Sequence, residues 1–81
     1  MVKIRFSPQF KKRFSKIDLQ LREKILKQLA KLKDNPELGK PMRHTRKGTW
    51  ELYIAPYRLS YGYDKKERAI ILLDFYHKDE Q

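Results

Sequence analysis

The sequence predicts an α+β domain in which a two-helix hairpin packs on a small, mainly antiparallel, four-stranded sheet, in the order β-α-α-β-β-β. Apolar residues recur at helical spacing in the first half of the chain and alternate with polar residues in the second half. Residues 34–48 follow neither period and hold two of the four prolines and two of the three glycines, which predicts a loop. A chain of 81 residues has room for one domain, so we expect a single domain over residues 1–81.

The first strand and the first helix meet at a capping signal. Residues 2–6 alternate apolar and basic side chains, which predicts a half-buried strand. Ser7 is a typical N-cap residue, and Pro8 suits the first helical position. The apolar residues of the helix that follows are Phe10, Phe14 and Ile17.

The second helix also has recognisable ends. Asp18 is a candidate N-cap, and the pair Asn35-Pro36 predicts the end, since proline disfavours helical geometry in the residue before it. The apolar stripe that we expect to face the sheet consists of Leu21, Ile25, Leu29 and Leu32, widened by Leu26 and Ala30.

Three strands are predicted after the loop. Residues 50–54 and 57–63 alternate apolar and polar side chains, with a turn at Pro56 between them. A polar hairpin at residues 64–67 leads to residues 69–76, whose nearly continuous apolar run predicts a central strand covered by the helices. The alternation leaves the sheet a second, polar face, on which we expect Glu51, Tyr53, Arg58 and Ser60.

Positive charge dominates the composition. Twenty Lys and Arg residues against ten Asp and Glu residues give a net charge of +10, which favours a polyanionic partner: nucleic acid first, an acidic protein second and an anionic membrane third. The absence of cysteine excludes disulfides and thiol chemistry, and two histidines are too few for a His-rich metal site. No apolar run approaches the roughly 18 residues of a membrane span, and the N-terminus is charged, so we expect a cytoplasmic protein.

Two groups of residues are candidates for a functional site. The first is a basic loop between Gly39 and Gly48, whose cations suit phosphate binding without sequence recognition; an ordinary exposed loop is the alternative. Its basic residues are Lys40, Arg43, His44, Arg46 and Lys47.

The second group consists of Glu51, Arg58 and His77. Cleavage of RNA by its own 2′-hydroxyl needs a base, a positive charge for the phosphorane and an acid for the leaving oxygen, and these three residue types suffice for the three tasks. Arg58 is expected in mid-sheet, where its planar fork suits a phosphate; a structural ion pair with Glu51 is the alternative. His77 is expected beyond the last strand. The five tyrosines offer surfaces on which bases can stack, although core or sheet-surface positions are more usual for them.

Three segments resemble the RelE/ParE superfamily of toxin–antitoxin toxins, especially its RelE/YoeB-like branch. They are VKIRFSPQFKKRFSKI at the start, TWELYIAPYRLSYGYD in the middle and AIILLDFYHKDEQ at the end. The resemblance covers essentially the whole chain and implies a RelE-like fold. It also implies ribosome-dependent cleavage of mRNA and neutralisation by an acidic cognate antitoxin in a hetero-oligomer.

The resemblance also assigns roles by position. Arg58 corresponds to the phosphate-stabilising arginine, Glu51 to the general base and His77 to the general acid, although base and acid are interchangeable. The RNA contacts that we expect are Lys40, Arg43, Arg46, Lys47 and Lys78. No cofactor or metal is expected, because the nucleophile belongs to the RNA.

One departure from the family pattern keeps other functions open. Many members carry an aromatic residue shortly after the terminal basic pair, whereas here Tyr76 precedes His77. This departure leaves open a non-catalytic module that binds RNA or the ribosome, such as a decayed toxin. A ParE-like gyrase inhibitor is the other alternative, and the set of Glu51, Arg58 and His77 argues against it.

Overall fold

The computed structural model describes residues 2–41 and 48–80. In chain order its elements are β1 (Lys3–Phe6), α1 (Pro8–Phe14), α2 (Leu19–Asp34), β2 (Lys40–Pro41), β3 (Thr49–Ile54), β4 (Tyr57–Asp64) and β5 (Ala69–His77), followed by a 3₁₀ turn, Lys78–Glu80. Two helices and one sheet confirm the predicted α+β class. Neither helix in the described part of the chain is long and apolar enough to cross a membrane.

The sheet has five strands instead of the predicted four, in the order β1-β5-β4-β3-β2. The additional strand, β2, lies within the predicted loop and pairs antiparallel with β3, with Lys40 opposite Glu51 and Pro41 opposite Trp50. Two residues, one of them a proline, are too few to show an alternation, so no sequence pattern announces this strand. The sheet is mainly antiparallel, as predicted, because only the pairing of β1 with β5 is parallel among the described strands.

The last strand contains a β-bulge at Leu73. Tyr61 pairs with Leu72 and Ser60 pairs with Asp74, so β5 has one more residue than β4 between these pairs. An extra residue exchanges the two faces of a strand, because side chains alternate with a period of two. The burial of β5 follows this exchange: Ile70 and Leu72 are buried before the bulge, and Phe75 is buried after it.

The predicted capping residues begin both helices. The Ser7 hydroxyl accepts a hydrogen bond from the Phe10 N–H (3.0 Å) and donates one to the carbonyl oxygen of Leu73 (2.6 Å). Asp18 caps α2 by accepting from the Leu21 N–H at 2.8 Å. Ser7 therefore joins the start of α1 to the bulge of β5, and α1 packs beside this strand.

The core lies between the helices and one face of the sheet. Its buried side chains are Phe10, Ile25, Leu29 and Leu32 from the helices and Ile54, Leu59, Tyr61, Ile70, Leu72 and Phe75 from the strands. The other face of β3, β4 and β5 carries the polar residues, as the alternation predicts.

The helices differ from the prediction at three positions. Ile17 packs against the core but lies beyond the end of α1 at Phe14. Ala30 is exposed, and so is Leu26 (54 %), although both were expected in the buried stripe of α2. The stripe is narrower than predicted: Ile25, Leu29 and Leu32 are buried against the sheet, and Leu21 packs against them as a partly buried residue.

Candidate functional site

Three neighbouring strands bring Glu51, Arg58 and Tyr76 together on the polar face. Glu51 is in β3, Arg58 is in the middle strand β4 and Tyr76 is in β5. Arg58 lies directly across from Tyr76 on one side and from Tyr53 on the other. Residues paired in this way have side chains on the same face, and Glu51 shares that face because it lies two residues before Tyr53 in β3. We call the four residues Glu51, Tyr53, Arg58 and Tyr76 the polar patch.

The Glu51 carboxylate binds two other residues of this patch. Its Oε1 atom accepts a hydrogen bond from Arg58 Nη1 at 2.7 Å, and its Oε2 atom accepts one from the Tyr76 hydroxyl at 2.9 Å. The Glu51 side chain is 14 % exposed and that of Arg58 is 38 % exposed. The ion pair considered as an alternative in the sequence analysis is therefore present, and it still leaves the guanidinium within reach of solvent.

Glu51 also keeps Arg58 charged. The hydrogen bond from Arg58 to Glu51, together with the negative charge of that carboxylate, raises the pKa of Arg58 above its ordinary value. An arginine is already charged at every physiological pH, so the pair gives the site a permanent cation with a fixed orientation. The Arg58 Nε atom is buried, so the two Nη nitrogens are the ones suited to bind an anion, and the fork is held in place by the bond from Nη1 to Glu51.

A cleft of about 520 Å³ opens beside this pair. Its polar lining consists of Lys40, Glu51, Tyr53, Arg58 and Lys78. Lys40 reaches the cleft because β2 pairs it with Glu51, and Lys78 follows the end of β5, where its N–H donates to the Pro56 carbonyl oxygen at 3.0 Å. Three of the predicted RNA contacts, Arg43, Arg46 and Lys47, lie outside the described residues.

His77 does not join the patch. It is the last residue of β5 and not, as predicted, a residue beyond the strand. It pairs with Tyr57, and the two rings pack in a T-shaped arrangement at a centroid distance of 5.5 Å. Its Nδ1 atom accepts a hydrogen bond from the Asp79 N–H at 3.2 Å. The sheet register therefore turns His77 to the face that carries the helices, away from Arg58 and Glu51.

A buried hydroxyl fixes the segment that brings Lys40 to the cleft. The Tyr61 side chain is fully buried, and its hydroxyl donates to the Pro36 carbonyl oxygen (3.0 Å) and accepts from the Gly39 N–H (2.9 Å). Gly39 itself fits closely, because a Cβ atom there would lie 2.6 Å from the Glu51 carbonyl oxygen. Burial raises the pKa of Tyr61 above its ordinary value, and the hydrogen bond from Gly39 acts in the opposite direction.

A metal site is not evident in the described residues, where no three His, Asp or Glu side chains form a cluster. The polar patch and the cleft beside it thus combine one carboxylate, one permanent cation, two phenols and two lysines. Such a set can bind a phosphodiester and exchange protons with it.

The family comparison identifies the kind of protein. The model of the family described as "ParE toxin of type II toxin-antitoxin system, parDE" matches residues 4–81. The chain belongs to this family. It is therefore a toxin of a type II toxin–antitoxin system, in the RelE/ParE superfamily. A comparison with curated protein sequences finds no match.

Solved structures share the fold of this toxin. The RelBE2 toxin–antitoxin complex from Mycobacterium tuberculosis contains a chain with a TM-score of 0.86 and 23 % identity, over 95 % of this chain and 98 % of that one. The Escherichia coli RelBE complex gives 0.83 and 15 %, over 95 % and 96 %. The YoeB/ParE toxin from Agrobacterium tumefaciens gives 0.83 and 18 %, over 94 % and 98 %. The predicted RelE-like fold is thereby confirmed.

One member of the toxin's polar patch was not found by sequence reasoning. The sequence predicts Tyr76 only as one of five tyrosines on which bases can stack, whereas the structure bonds its hydroxyl to Glu51. The signal needed to find it is the bulge at Leu73, which decides whether Tyr76 or His77 shares a face with Arg58. An apolar run such as residues 69–73 does not reveal a bulge, because it has no alternation to interrupt.

Removing the Tyr61 hydroxyl is expected to destabilise the toxin. The substitution Tyr61→Phe leaves the Pro36 carbonyl and the Gly39 N–H without their partner, which costs about 1–3 kcal/mol of the free energy of unfolding. Chemical denaturation measures this loss. Tyr63→Phe is the matched control, since no hydrogen bond to its hydroxyl is found among the described residues, and an equal loss in both variants would contradict the role of Tyr61.

The same variant has a signature at alkaline pH. Because the folded state raises the pKa of Tyr61, its contribution to stability is present below about pH 10 and is lost as the pH rises through the folded-state pKa. Phenolate absorbance of the native toxin should therefore contain a late-titrating component that Tyr61→Phe removes.

Proposed function

We propose that this toxin is a ribosome-dependent mRNA endonuclease that cleaves by attack of the 2′-hydroxyl on the adjacent phosphate. The observation that supports it most is the position of Arg58: a permanently charged fork on the middle strand, oriented by Glu51 and open to a cleft that Lys40 and Lys78 also line. An ion pair needed only for stability would not require two further cations beside it.

Arg58 would bind the scissile phosphate and stabilise the charge that develops on its oxygens. Preorganised donors aimed at developing charge supply the largest share of many rate enhancements. In this proposal the phosphate lies against the Nη nitrogens of the guanidinium, while Glu51 keeps the fork in place. Lys40 and Lys78 hold neighbouring phosphates of the strand.

Glu51 would act as the general base. It takes the proton of the 2′-hydroxyl as the new bond from that oxygen to phosphorus forms, and the bond from phosphorus to the 5′-oxygen breaks. The products are a 2′,3′-cyclic phosphate and a strand with a 5′-hydroxyl. The nucleophile is part of the RNA, so the reaction needs no water in this step.

Tyr76 would act as the general acid, the role that the family resemblance assigns to His77. Its hydroxyl lies in the patch and already donates to Glu51 at 2.9 Å, whereas His77 contacts Tyr57 and Asp79 instead. Tyr76 gives its proton to the leaving 5′-oxygen, and the proton collected by Glu51 then returns to Tyr76 along the same hydrogen bond. The site is thus restored after each cleavage.

An antitoxin is the expected second partner. Relatives with this fold were solved as toxin–antitoxin complexes, RelBE2 and RelBE among them. The net charge of +10 favours an acidic partner, and an acidic segment that reaches the cleft would compete with RNA for Arg58. We propose a cognate acidic antitoxin that silences the toxin in a hetero-oligomer.

Replacing Arg58 by alanine should abolish most of the cleavage. We expect the rate to fall by on the order of 10²–10³, the usual effect of removing one donor that stabilises transition-state charge. Primer extension on mRNA in a translation reaction measures it, and circular dichroism checks that the variant is folded. The substitution Arg5→Ala is the matched control, because Arg5 is an exposed cation of the edge strand β1, outside the cleft.

Two outcomes would contradict this assignment. One is equal cleavage by the parent and by Arg58→Ala. The other is that the parent does not cleave mRNA but inhibits DNA supercoiling by gyrase. That result would favour a ParE-like gyrase inhibitor, in agreement with the family description.

Binding to single-stranded RNA should weaken with salt in proportion to the phosphate contacts. The five cations predicted from the sequence would give a slope of roughly −3.5 in a plot of log K against log salt concentration. We expect Lys40→Ala and Lys78→Ala each to reduce its magnitude by about 0.7. Lys27→Ala, an exposed lysine of α2, is the control and should leave the slope unchanged. Unchanged slopes in both cleft variants would exclude these lysines from the contact.

A further inference from the structure

The five tyrosines of the toxin differ sharply in their surroundings. Tyr61 is fully buried, Tyr57 and Tyr63 pack against the core, and Tyr76 is bonded to Glu51. Tyr53 is the exception, since 55 % of it is exposed. An exposed tyrosine alone means little, because single apolar side chains are common on protein surfaces. The position of Tyr53 beside Arg58 is what distinguishes it from an ordinary exposed side chain.

Tyr53 lies on the polar patch and lines the same cleft as Arg58 and Lys78. It is directly opposite Arg58 in the pairing of β3 with β4. Strand β3 pairs with β4 along its whole length, Thr49–Ile54, so the ring projects from a backbone that the sheet holds. Among the described residues no hydrogen bond engages the Tyr53 hydroxyl, and its ring is not part of the hydrophobic core.

An aromatic ring next to a phosphate-binding arginine can bind one nucleotide of single-stranded RNA, its base on the ring and its phosphate on the arginine. The bases of such a strand have free π-faces, and stacking on an aromatic side chain is favourable for every base. The faces of paired bases in a duplex are covered by their neighbours. A cation and a ring on adjacent strands can therefore bind the backbone and the base of one segment at the same time.

We propose that Tyr53 forms a nucleobase subsite, on which a base of single-stranded RNA stacks beside the phosphate bound by Arg58. The inference rests on the proposed function and extends it, because it separates the cleft into a phosphate-binding part and a base-binding part. Recognition by stacking is tolerant of sequence, so the subsite adds affinity and alignment of the strand without choosing one base.

The test compares a short single-stranded RNA with a ribose-phosphate chain of the same length that lacks the bases. Binding of both is measured by titration at low salt, with the parent toxin and with the variants Tyr53→Phe and Tyr53→Leu. Phenylalanine keeps the ring, and leucine keeps apolar volume without a π-face. Leu19→Ala is the control for an exposed apolar residue, since Leu19 begins α2 outside the cleft.

The parent should bind the base-bearing RNA roughly 5- to 150-fold more tightly than the baseless chain. Tyr53→Phe and Leu19→Ala should keep this ratio, and Tyr53→Leu should bring it close to one without changing the affinity for the baseless chain. A ratio that Tyr53→Leu leaves unchanged would overturn the inference. If the parent binds the RNA and the baseless chain equally well and in a salt-dependent way, the base subsite alone is overturned. If the parent binds neither of them, the phosphate site is overturned as well.

Discussion

The site of this toxin depends on one extra residue in the last strand. The bulge at Leu73 exchanges the two faces of β5, so that Phe75 continues the core and Tyr76 faces Arg58. Without it the alternation set by Ile70 and Leu72 would turn Tyr76 towards the helices. The Ser7 hydroxyl, which caps α1, donates to the carbonyl oxygen of the bulged residue. The start of a helix and the composition of the polar patch are therefore linked by one hydrogen bond.

The patch illustrates how a partly exposed ion pair can serve orientation more than stability. Solvent screens an exposed ion pair, and the Arg58 side chain is 38 % exposed, so its pair with Glu51 adds little to stability. The pair instead fixes a guanidinium on the middle strand, and Tyr76 fixes the carboxylate from the other side. Three adjacent strands thus hold the functional groups, with Tyr61 positioning the segment that adds Lys40.

Local signals in the sequence predict much of this molecule. Ser7 and Asp18 cap their helices, the alternation around Arg58 gives the polar face, and the resemblance to the RelE/ParE superfamily agrees with the family match. What the sequence does not reveal depends on pairing between strands. The two residues of β2 and the bulge in an apolar run leave no periodic trace, so the alternation alone does not show which face Tyr76 and His77 occupy. The prediction that His77 lies beyond the last strand is wrong by one residue, since β5 ends at His77.

The comparison of Tyr76→Phe with His77→Gln tests the central claim most directly, because these adjacent residues differ in the face to which the bulge turns them. Both variants are assayed for mRNA cleavage in a translation reaction, after their folding has been checked. The account predicts that Tyr76→Phe slows cleavage by on the order of 10²–10⁴, the range for a lost general acid, and that His77→Gln cleaves at close to the parental rate. Parental cleavage by Tyr76→Phe, together with a large loss in His77→Gln, would contradict it.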